Sequence, residues 1–183
     1  VIRAQGERAF PELIEAIRGE RSRSDRSLND VHNVSYRNGE GFHHSPDYPI
    51  YDPNERPPLP YHRFQMSEYA IRTFIGERTL AHETSVGCPH KCNFCGVVDL
   101  FHSRWKAETP ERTLDVLRLL KERFGMDGIE FHDSEMFASE KRIRALCEEM
   151  IPLNLKWWSE GRIDTLLNYD RETWKLMRRS GLR

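Results

Sequence analysis

The sequence lacks any long apolar run, and no stretch approaches the roughly 20 apolar residues that a membrane-spanning helix needs. It also shows no pattern typical of a secretory signal peptide. An excess of charge of one sign is missing too, because 28 Lys and Arg residues balance 29 Asp and Glu residues and leave a formal net charge of −1. That balance gives no electrostatic attraction to nucleic acid. The composition therefore predicts a globular protein that partners neither a membrane nor a nucleic acid.

Cysteine is scarce, with four residues in 183, and three of them lie close together. Cys88, Cys92 and Cys95 form the spacing Cys-x3-Cys-x2-Cys, whereas Cys147 stands alone in a helical apolar pattern that predicts a buried small side chain. Three neighbouring thiolates repel one another and oxidise readily unless a metal holds them. Reduced, metal-binding cysteines fit the cytoplasm, which is the localisation we expect.

A second cysteine pair is absent, and this absence separates two metal chemistries. A structural zinc site prefers four ligands, usually as two pairs. His90 could be the fourth ligand, but it lies between two of the cysteines, where the turn is already crowded. An iron–sulfur cubane takes one cysteine per iron, so three cysteines leave one iron open to a substrate or cofactor. The spacing therefore favours a [4Fe-4S] cluster over zinc, a disulfide or unused thiols.

The residues around the cysteines extend the pattern, because positions 83–95 read ETSVGCPHKCNFC. This run resembles the signature of the radical S-adenosylmethionine superfamily, in particular the subgroup that carries a cobalamin-binding domain ahead of its radical core. The resemblance implies that S-adenosylmethionine chelates the open iron, and that an electron from the cluster cleaves it to a 5′-deoxyadenosyl radical. It also implies an electron donor such as a flavodoxin or ferredoxin and, in the subgroup, bound cobalamin.

Residues 1–20 predict the end of a strand and then a helix, whose apolar residues are Phe10, Leu13, Ile14 and Ile17 and whose end is marked by Gly19. The segment resembles the closing strand and helix of a cobalamin-binding α/β domain, although the periodicity alone fits any αβ tail equally well. In that family the histidine that ligates cobalt lies in an upstream motif that is not in this chain. We therefore expect the chain to be a fragment of a longer protein.

Residues 21–78 predict a hairpin and a linker. The charged, serine-rich run Arg18–Arg26 indicates a solvated loop, and Asn38-Gly39 is a strong hairpin turn signal. His43 and His44 invite a metal interpretation, but neighbouring strand residues point to opposite faces. Six prolines between residues 46 and 60 predict a stiff linker poor in hydrogen-bond donors.

Residues 79–183 predict three strand–loop–helix units in a row. The predicted strands are Thr79–Val86, Gly128–His132 and Leu155–Ser159, and the residues that begin the following helices are Thr109, Ser139 and Asp170. The cysteine loop is expected to continue through Val97–Trp105. Such a series predicts an α/β fold with parallel strands. It resembles the first half of the partial TIM-like barrel of the radical family, whose chemistry lies at the carboxyl ends of the strands.

Five further residues are candidate contacts to S-adenosylmethionine under this resemblance. Phe94 would lie beside the adenine, unless it is only a packing side chain. Asp133 or Glu135 would accept the cationic amino group, although one of them could instead cap the next helix. Arg162 suits the carboxylate and Glu160 the ribose hydroxyls, unless these two residues pair with each other.

The predicted function is that of a radical enzyme, with Cys88, Cys92 and Cys95 as cluster ligands. The resemblance implies hydrogen abstraction from a small-molecule substrate, with cobalamin-dependent methyl transfer as the first expectation and cyclisation or rearrangement as the second. Two alternatives of other classes stay open at this point. One is a zinc or cluster-bearing binding module without turnover, and the other is an electron-transfer protein whose cluster has a fourth protein ligand.

Overall fold

The chain alternates short strands with helices, as seen in a computed structural model that describes residues 1–18, 28–39 and 41–183. The helices are α1 (Ala9–Arg18), α2 (Gly96–Phe101), α3 (Pro110–Phe124), α4 (Glu140–Met150), α5 (Ile163–Leu167) and α6 (Arg171–Arg179). The strands are β1 (Ser35–Asn38), β2 (Gly41–His44), β3 (Thr79–His82), β4 (Ser85–Gly87), β5 (Trp105–Ala107), β6 (Gly128–Phe131) and β7 (Lys156–Ser159). No helix of the described ranges is both long and apolar enough to cross a membrane.

A parallel sheet in the order β3-β6-β7 forms the centre of the second half of the chain. Helix α3 lies between β3 and β6 along the chain, and α4 lies between β6 and β7, so the predicted run of parallel βα units is confirmed. Closure into a TIM-like barrel stays a prediction. The two neighbouring tryptophans of β7 separate as strand geometry requires, with Trp157 fully buried and Trp158 only partly buried against Phe74.

One face of this sheet carries the hydrophobic core. Apolar side chains of the three strands pack in one cluster with the inward stripes of the covering helices, and its members include Leu80, Ile129, Phe131, Trp157, Leu117, Leu146 and Met177. The helical stripes follow the 3.6-residue period that the sequence predicts. Burial of each such side chain stabilises the fold by about 1.5–3 kcal/mol.

The helix boundaries follow the predicted capping residues. Thr109, Ser139 and Asp170 each accept a backbone N–H from two or three residues further along the chain. Such a cap satisfies an amide that the helix leaves unpaired and contributes about 1 kcal/mol. Gly125 ends α3 in the left-handed conformation, with φ of 66°.

The predicted strand Thr79–Val86 is wrong as a single element, because it breaks into β3 and β4. The backbone N–H of Thr84 donates to the Asp133 carboxylate at 3.1 Å instead of to a neighbouring strand. The chain therefore leaves the parallel sheet at this point, and β4 pairs with β5 as an antiparallel ribbon.

The predicted loop Val97–Trp105 is also wrong, because it contains helix α2 and the start of β5. A helix of six residues is too short to show a periodic pattern in the sequence. After α2, His102 and Ser103 both adopt the left-handed region, with φ of 50° and 55°. These two residues turn the chain back so that β5 can pair with β4.

The first part of the chain contains the predicted helix and hairpin. Strands β1 and β2 pair on either side of the turn at Asn38-Gly39, which confirms the hairpin. The helical stripe of α1 is largely uncovered, since Phe10 is 56% and Ile17 is 66% exposed. The predicted helix end at Gly19 and the rest of the charged run lie outside the described residues.

The proline-rich segment (residues 46–60), predicted as a stiff linker, makes side-chain hydrogen bonds to the elements on both sides of it. Tyr48 donates its hydroxyl proton to Glu12 of α1 at 2.6 Å. On the other side, the Asn54 amide donates to the carbonyl of Ala107 at 2.9 Å and accepts the backbone N–H of Thr109 at 2.8 Å. Prolines limit the backbone donors of this segment, so side chains provide the connections.

Candidate functional site

The three clustered cysteines lie on one loop between β4 and α2. Each has a free, partly buried thiol, and Cys95 is the N-cap residue of α2. The backbone N–H of Cys95 donates to the carbonyl of Cys92 at 3.1 Å, which tightens the loop between these two ligands. The loop therefore presents all three sulfur atoms from one short segment.

Gly87 starts this loop in a conformation that only glycine adopts easily. Its φ is +76°, and a Cβ atom here would lie 2.2 Å from the carbonyl oxygen of Arg104. The neighbouring chain before β5 therefore passes directly against the backbone that precedes Cys88. A side chain at position 87 would displace the start of the cysteine loop.

Asp133, at the carboxyl end of β6, holds the segment before the cysteine loop. It is buried and accepts the Thr84 N–H at 3.1 Å, the Thr84 hydroxyl at 2.8 Å and the Ser85 hydroxyl. Both of its carboxylate oxygens are therefore occupied by donors from this chain. The guanidinium of Arg142 adds a contact to the Thr84 carbonyl at 3.4 Å.

Glu135 lies two residues further on and is completely buried. Its Oε1 accepts the N–H of Phe137 at 3.1 Å. Oε2 has no hydrogen-bond partner among the residues that the structure describes, and it lies 3.6 Å from Nε2 of His90 in the cysteine loop. Burial raises the pKa of Glu135. The Phe137 N–H, His90, and the backbone N–H and charge of Arg162 oppose this effect only in part. The site thus contains a buried carboxylate oxygen that can accept one more donor.

Arg162 lies after β7 and contacts the cysteine loop from the other side. Its Nη1 donates to Sγ of Cys92 at 2.8 Å, while Nε donates to Asp164 Oδ1 at 2.8 Å and Nη2 donates to Oδ2. This forked pair with Asp164 raises the pKa of Arg162 and lowers that of Asp164 to about 2. The ion pair of Arg162 is therefore with Asp164 and not with Glu160, which is exposed.

Phe94 projects away from the body of the chain. Its side chain is 89% exposed, so it fills no space in the core. The interpretation of Phe94 as a packing residue is not supported by this position. The ring is free to meet a flat partner beside the loop.

A second buried polar cluster lies below β4 and was missed by the sequence analysis. The Glu108 carboxylate, almost fully buried, lies 3.2 Å from His82 Nε2, 3.0 Å from Arg56 and 3.2 Å from Arg112. Burial raises the pKa of Glu108, but the hydrogen bonds and charges of His82 and Arg56 outweigh it and leave the pKa below its usual value. The cluster fastens the proline-rich segment to the start of α3.

Other residues that the sequence analysis missed have weak signals. The role of Thr84 and Ser85 as hydrogen-bond donors to Asp133 has no local sequence signal, because Asp133 is almost fifty residues away. Asp164 follows Arg162 by two residues, and this Arg-x-Asp spacing is the one signal that could have identified it. The remaining histidine and cysteine candidates lie elsewhere, His44 bonded to Ser35 in the hairpin and Cys147 buried in α4.

The donor set suits a cluster better than a single metal ion. In the part of the chain that the structure describes, no three His, Cys, Asp or Glu side chains converge as ligands of one ion. A zinc site needs four such convergent ligands, whereas a cubane needs each sulfur to reach a different iron atom. The three thiols of the loop match in number the protein ligands of a cubane that leaves one iron open.

Comparison with protein families and curated proteins found two informative relatives. No family model matches the chain. An uncharacterised methyltransferase from Pyrococcus horikoshii is 27% identical over 99% of this chain, which corresponds to 38% of that protein. The anaerobic magnesium-protoporphyrin IX monomethyl ester cyclase from Synechocystis is 23% identical over the whole chain, which corresponds to 35% of the cyclase. The chain thus spans little more than a third of either relative.

Among solved structures, the radical S-adenosylmethionine methyltransferase TsrM from Kitasatospora setae has a similar fold. Its structure with tryptophan substrate and an S-adenosylmethionine analogue aligns with the whole chain at a TM-score of 0.68 and 18% identity. Its structure with cobalamin and a [4Fe-4S] cluster aligns at a TM-score of 0.69 and 17% identity. The chain covers 35% and 36% of these two structures, and at this identity the likeness concerns the fold alone.

Proposed function

We propose that this chain, a relative of the cobalamin-binding radical S-adenosylmethionine enzymes, is the part of such an enzyme that holds a [4Fe-4S] cluster and S-adenosylmethionine. The observation that carries the proposal is the loop of three thiols at Cys88, Cys92 and Cys95. Beside it lies the Oε2 atom of Glu135, which makes no hydrogen bond within the described part of the chain. When bound, the cluster supplies the electron that cleaves the sulfonium of S-adenosylmethionine.

The two carboxylates after β6 take different roles in this proposal. Glu135 accepts a hydrogen bond from the amino group of S-adenosylmethionine, because its Oε2 is buried and makes no hydrogen bond with the described residues. Asp133 instead positions the cysteine loop, because Thr84 and Ser85 already occupy its oxygens. A buried carboxylate that receives an ammonium group forms a strong, charge-assisted hydrogen bond.

The other contacts stay proposals of the same kind. The exposed ring of Phe94 would lie against the adenine, and the exposed Glu160 would accept from the ribose hydroxyls. Arg162 keeps free N–H groups beyond those it gives to Asp164 and Cys92, and these suit the methionine carboxylate. All of these residues except Phe94 follow the carboxyl ends of the parallel strands, where such folds place their chemistry.

For the reaction, we propose hydrogen abstraction from a small-molecule substrate coupled to cobalamin-dependent methyl transfer. One curated relative and the matched structure are named as methyltransferases, and that structure contains cobalamin. Cyclisation is the second candidate, because the other relative is named as a cyclase. A flavodoxin- or ferredoxin-type electron donor, a cytoplasmic location, and the division at 1–20, 21–78 and 79–183 belong to the same proposal.

The test is anaerobic reconstitution with iron and sulfide, followed by addition of S-adenosylmethionine. We expect about four iron and four sulfide per chain, and a change in the electron paramagnetic resonance spectrum of the reduced cluster when S-adenosylmethionine is added. Cys92→Ala should lose the cluster, whereas the control Cys147→Ala should keep it. One zinc per chain without sulfide would favour the binding module, and a cluster whose spectrum ignores S-adenosylmethionine would favour electron transfer.

A further inference from the structure

We propose that Arg162, held in place by Asp164, donates a hydrogen bond to the cluster ligand Cys92 and thereby raises the reduction potential of the bound cluster. This inference rests on the proposed function, because it requires that Cys92 bind iron. It adds a role for Arg162 on the protein side of the cluster and identifies Asp164 as a positioning residue.

The geometry singles out one edge of the guanidinium. Asp164 takes Nε and Nη2 of Arg162 as a forked pair, so the orientation of the planar group is fixed. The remaining nitrogen, Nη1, then lies 2.8 Å from Sγ of Cys92. Without the Asp164 carboxylate, rotation of the arginine side chain would no longer be restricted, and Nη1 would not be held at the sulfur.

The contact joins segments that are far apart in the chain. Arg162 follows Cys92 by 70 residues, and it is the N-cap residue of α5 after β7. The sheet order β3-β6-β7 brings the end of β7 to the side of the sheet where the cysteine loop lies. The contact is therefore a product of the fold and not of the cysteine motif.

The physical effect follows from charge. A reduced cluster carries one more negative charge than an oxidised one, and this charge is spread in part over the cysteine sulfurs. A cationic N–H donor stabilises the reduced form more than the oxidised form, because hydrogen bonds to the sulfurs are among the factors that set cluster potentials. The contact of Arg162 with Cys92 therefore places a cation beside a cluster ligand.

The experiment compares Arg162→Gln, Arg162→Lys and Asp164→Asn with the unaltered protein, all reconstituted with iron and sulfide and measured without S-adenosylmethionine. The readouts are iron and sulfide content and the midpoint potential from a redox titration followed by electron paramagnetic resonance. Arg118→Gln is the matched control, because Arg118 pairs with Asp115 on the exposed side of α3. We expect a more negative potential in Arg162→Gln, smaller negative shifts in Arg162→Lys and Asp164→Asn, and no shift in the control.

The outcomes separate this inference from the function on which it rests. Unaltered protein without iron and sulfide would overturn the proposed function and the inference together. Loaded unaltered protein, with unshifted potentials in the loaded Arg162 variants, would overturn only the inference. If Arg162→Gln fails to keep its cluster, Arg162→Lys and Asp164→Asn decide, and an unchanged potential in both overturns the proposal. A shift in the Arg162 variants without one in Asp164→Asn would remove Asp164 from its positioning role.

Discussion

The two carboxylates after β6 differ in the number of donors that each one meets, and this number separates a structural residue from a binding residue. Asp133 accepts three hydrogen bonds from Thr84 and Ser85, so it has little capacity left for a ligand. From the described residues Glu135 accepts one hydrogen bond, and its other oxygen is buried without one. Because leaving such a group unpaired costs about 1–3 kcal/mol, a ligand that supplies the donor gains that energy on binding.

Glu135→Gln should therefore weaken the binding of S-adenosylmethionine while the cluster remains. A charge-assisted hydrogen bond contributes about 1.5–3 kcal/mol, so we expect roughly 10- to 100-fold weaker binding. The measurement is a titration of the cluster spectrum with S-adenosylmethionine. Glu149→Gln on the exposed side of α4 is the control and should bind normally. Equal affinities in Glu135→Gln and the unaltered protein would exclude Glu135 as the acceptor.

Glu108 predicts a pH dependence of stability. Its pKa in the folded chain lies below the usual 4.5, so its charged form stabilises the fold above that pH, and this stabilisation is lost as the pH falls through the lowered pKa. Glu108→Gln should reduce the free energy of unfolding at pH 7 by about 3 kcal/mol, because it leaves His82 and Arg56 without their buried partner. Urea denaturation at several pH values is the measurement.

The difference between this variant and the unaltered protein should shrink below pH 4.5, where the carboxylate of the unaltered protein becomes protonated. A gap that stays constant as the pH falls from neutral to well below that value would show that Glu108 contributes packing rather than charge. Glu111→Gln, an exposed carboxylate in the first turn of α3, serves as the control.

At the scale of secondary-structure elements, the cysteine loop lies between two glycines with opposite requirements. Gly87, at the end of β4, has a positive φ and the Arg104 carbonyl against it. At Gly96, the first residue of α2, an added Cβ would meet no atom of the described residues within 4 Å. The entrance of the loop is therefore tightly constrained and its exit is not.

Gly87→Ala should destabilise the chain by at least about 2 kcal/mol, since the left-handed conformation alone costs about 1–2 kcal/mol and the clash must also be relieved. Gly96→Ala should be neutral or stabilising by up to about 1 kcal/mol, because alanine favours the helix. Denaturant midpoints measure both, and a Gly87→Ala variant as stable as Gly96→Ala would contradict the strained entrance of the loop.

The elements that the sequence predicts well are those with a local cause. Capping residues such as Thr109 and Ser139, and the apolar period of α3 and α4, act within a few residues of one another. The break between β3 and β4 has its cause in Asp133, and the contact of Arg162 with Cys92 depends on the sheet order. Periodicity and capping carry no signal of contacts over such separations. The cysteine spacing could be recognised in the sequence, whereas the contacts of Asp133 and Arg162 with the cysteine loop could be identified only from the structure.

At the scale of the whole molecule, part of the segment before residue 79 packs against the parallel sheet. Met66 lies in the hydrophobic core cluster of the sheet, and Ile75 is completely buried. Ile71 pairs with Thr79 along the edge of β3 that does not face β6. These contacts tie Met66 and Ile71 to the sheet, while the division of the chain at residue 79 stays a proposal.

A chain shortened to residues 79–183 should consequently be less stable and should self-associate. It loses two buried side chains, each contributing about 1.5–3 kcal/mol, and it exposes the edge of β3, which can then pair with another molecule. Thermal unfolding and size-exclusion chromatography beside the 183-residue chain are the measurements. A shortened chain that is monomeric and equally resistant to heat would show that residues 1–78 are dispensable for folding.

The consecutive left-handed residues His102 and Ser103 indicate where the thermal stability of the chain can be increased. A non-glycine residue in the left-handed region costs on the order of 1 kcal/mol of folding free energy. The turn that returns the chain to β5 therefore contains backbone strain. His102 is exposed and ends α2 in the left-handed conformation, which glycine adopts at the lowest energetic cost. Exchanging this histidine for glycine is the first improvement in thermal resilience that an engineer would try.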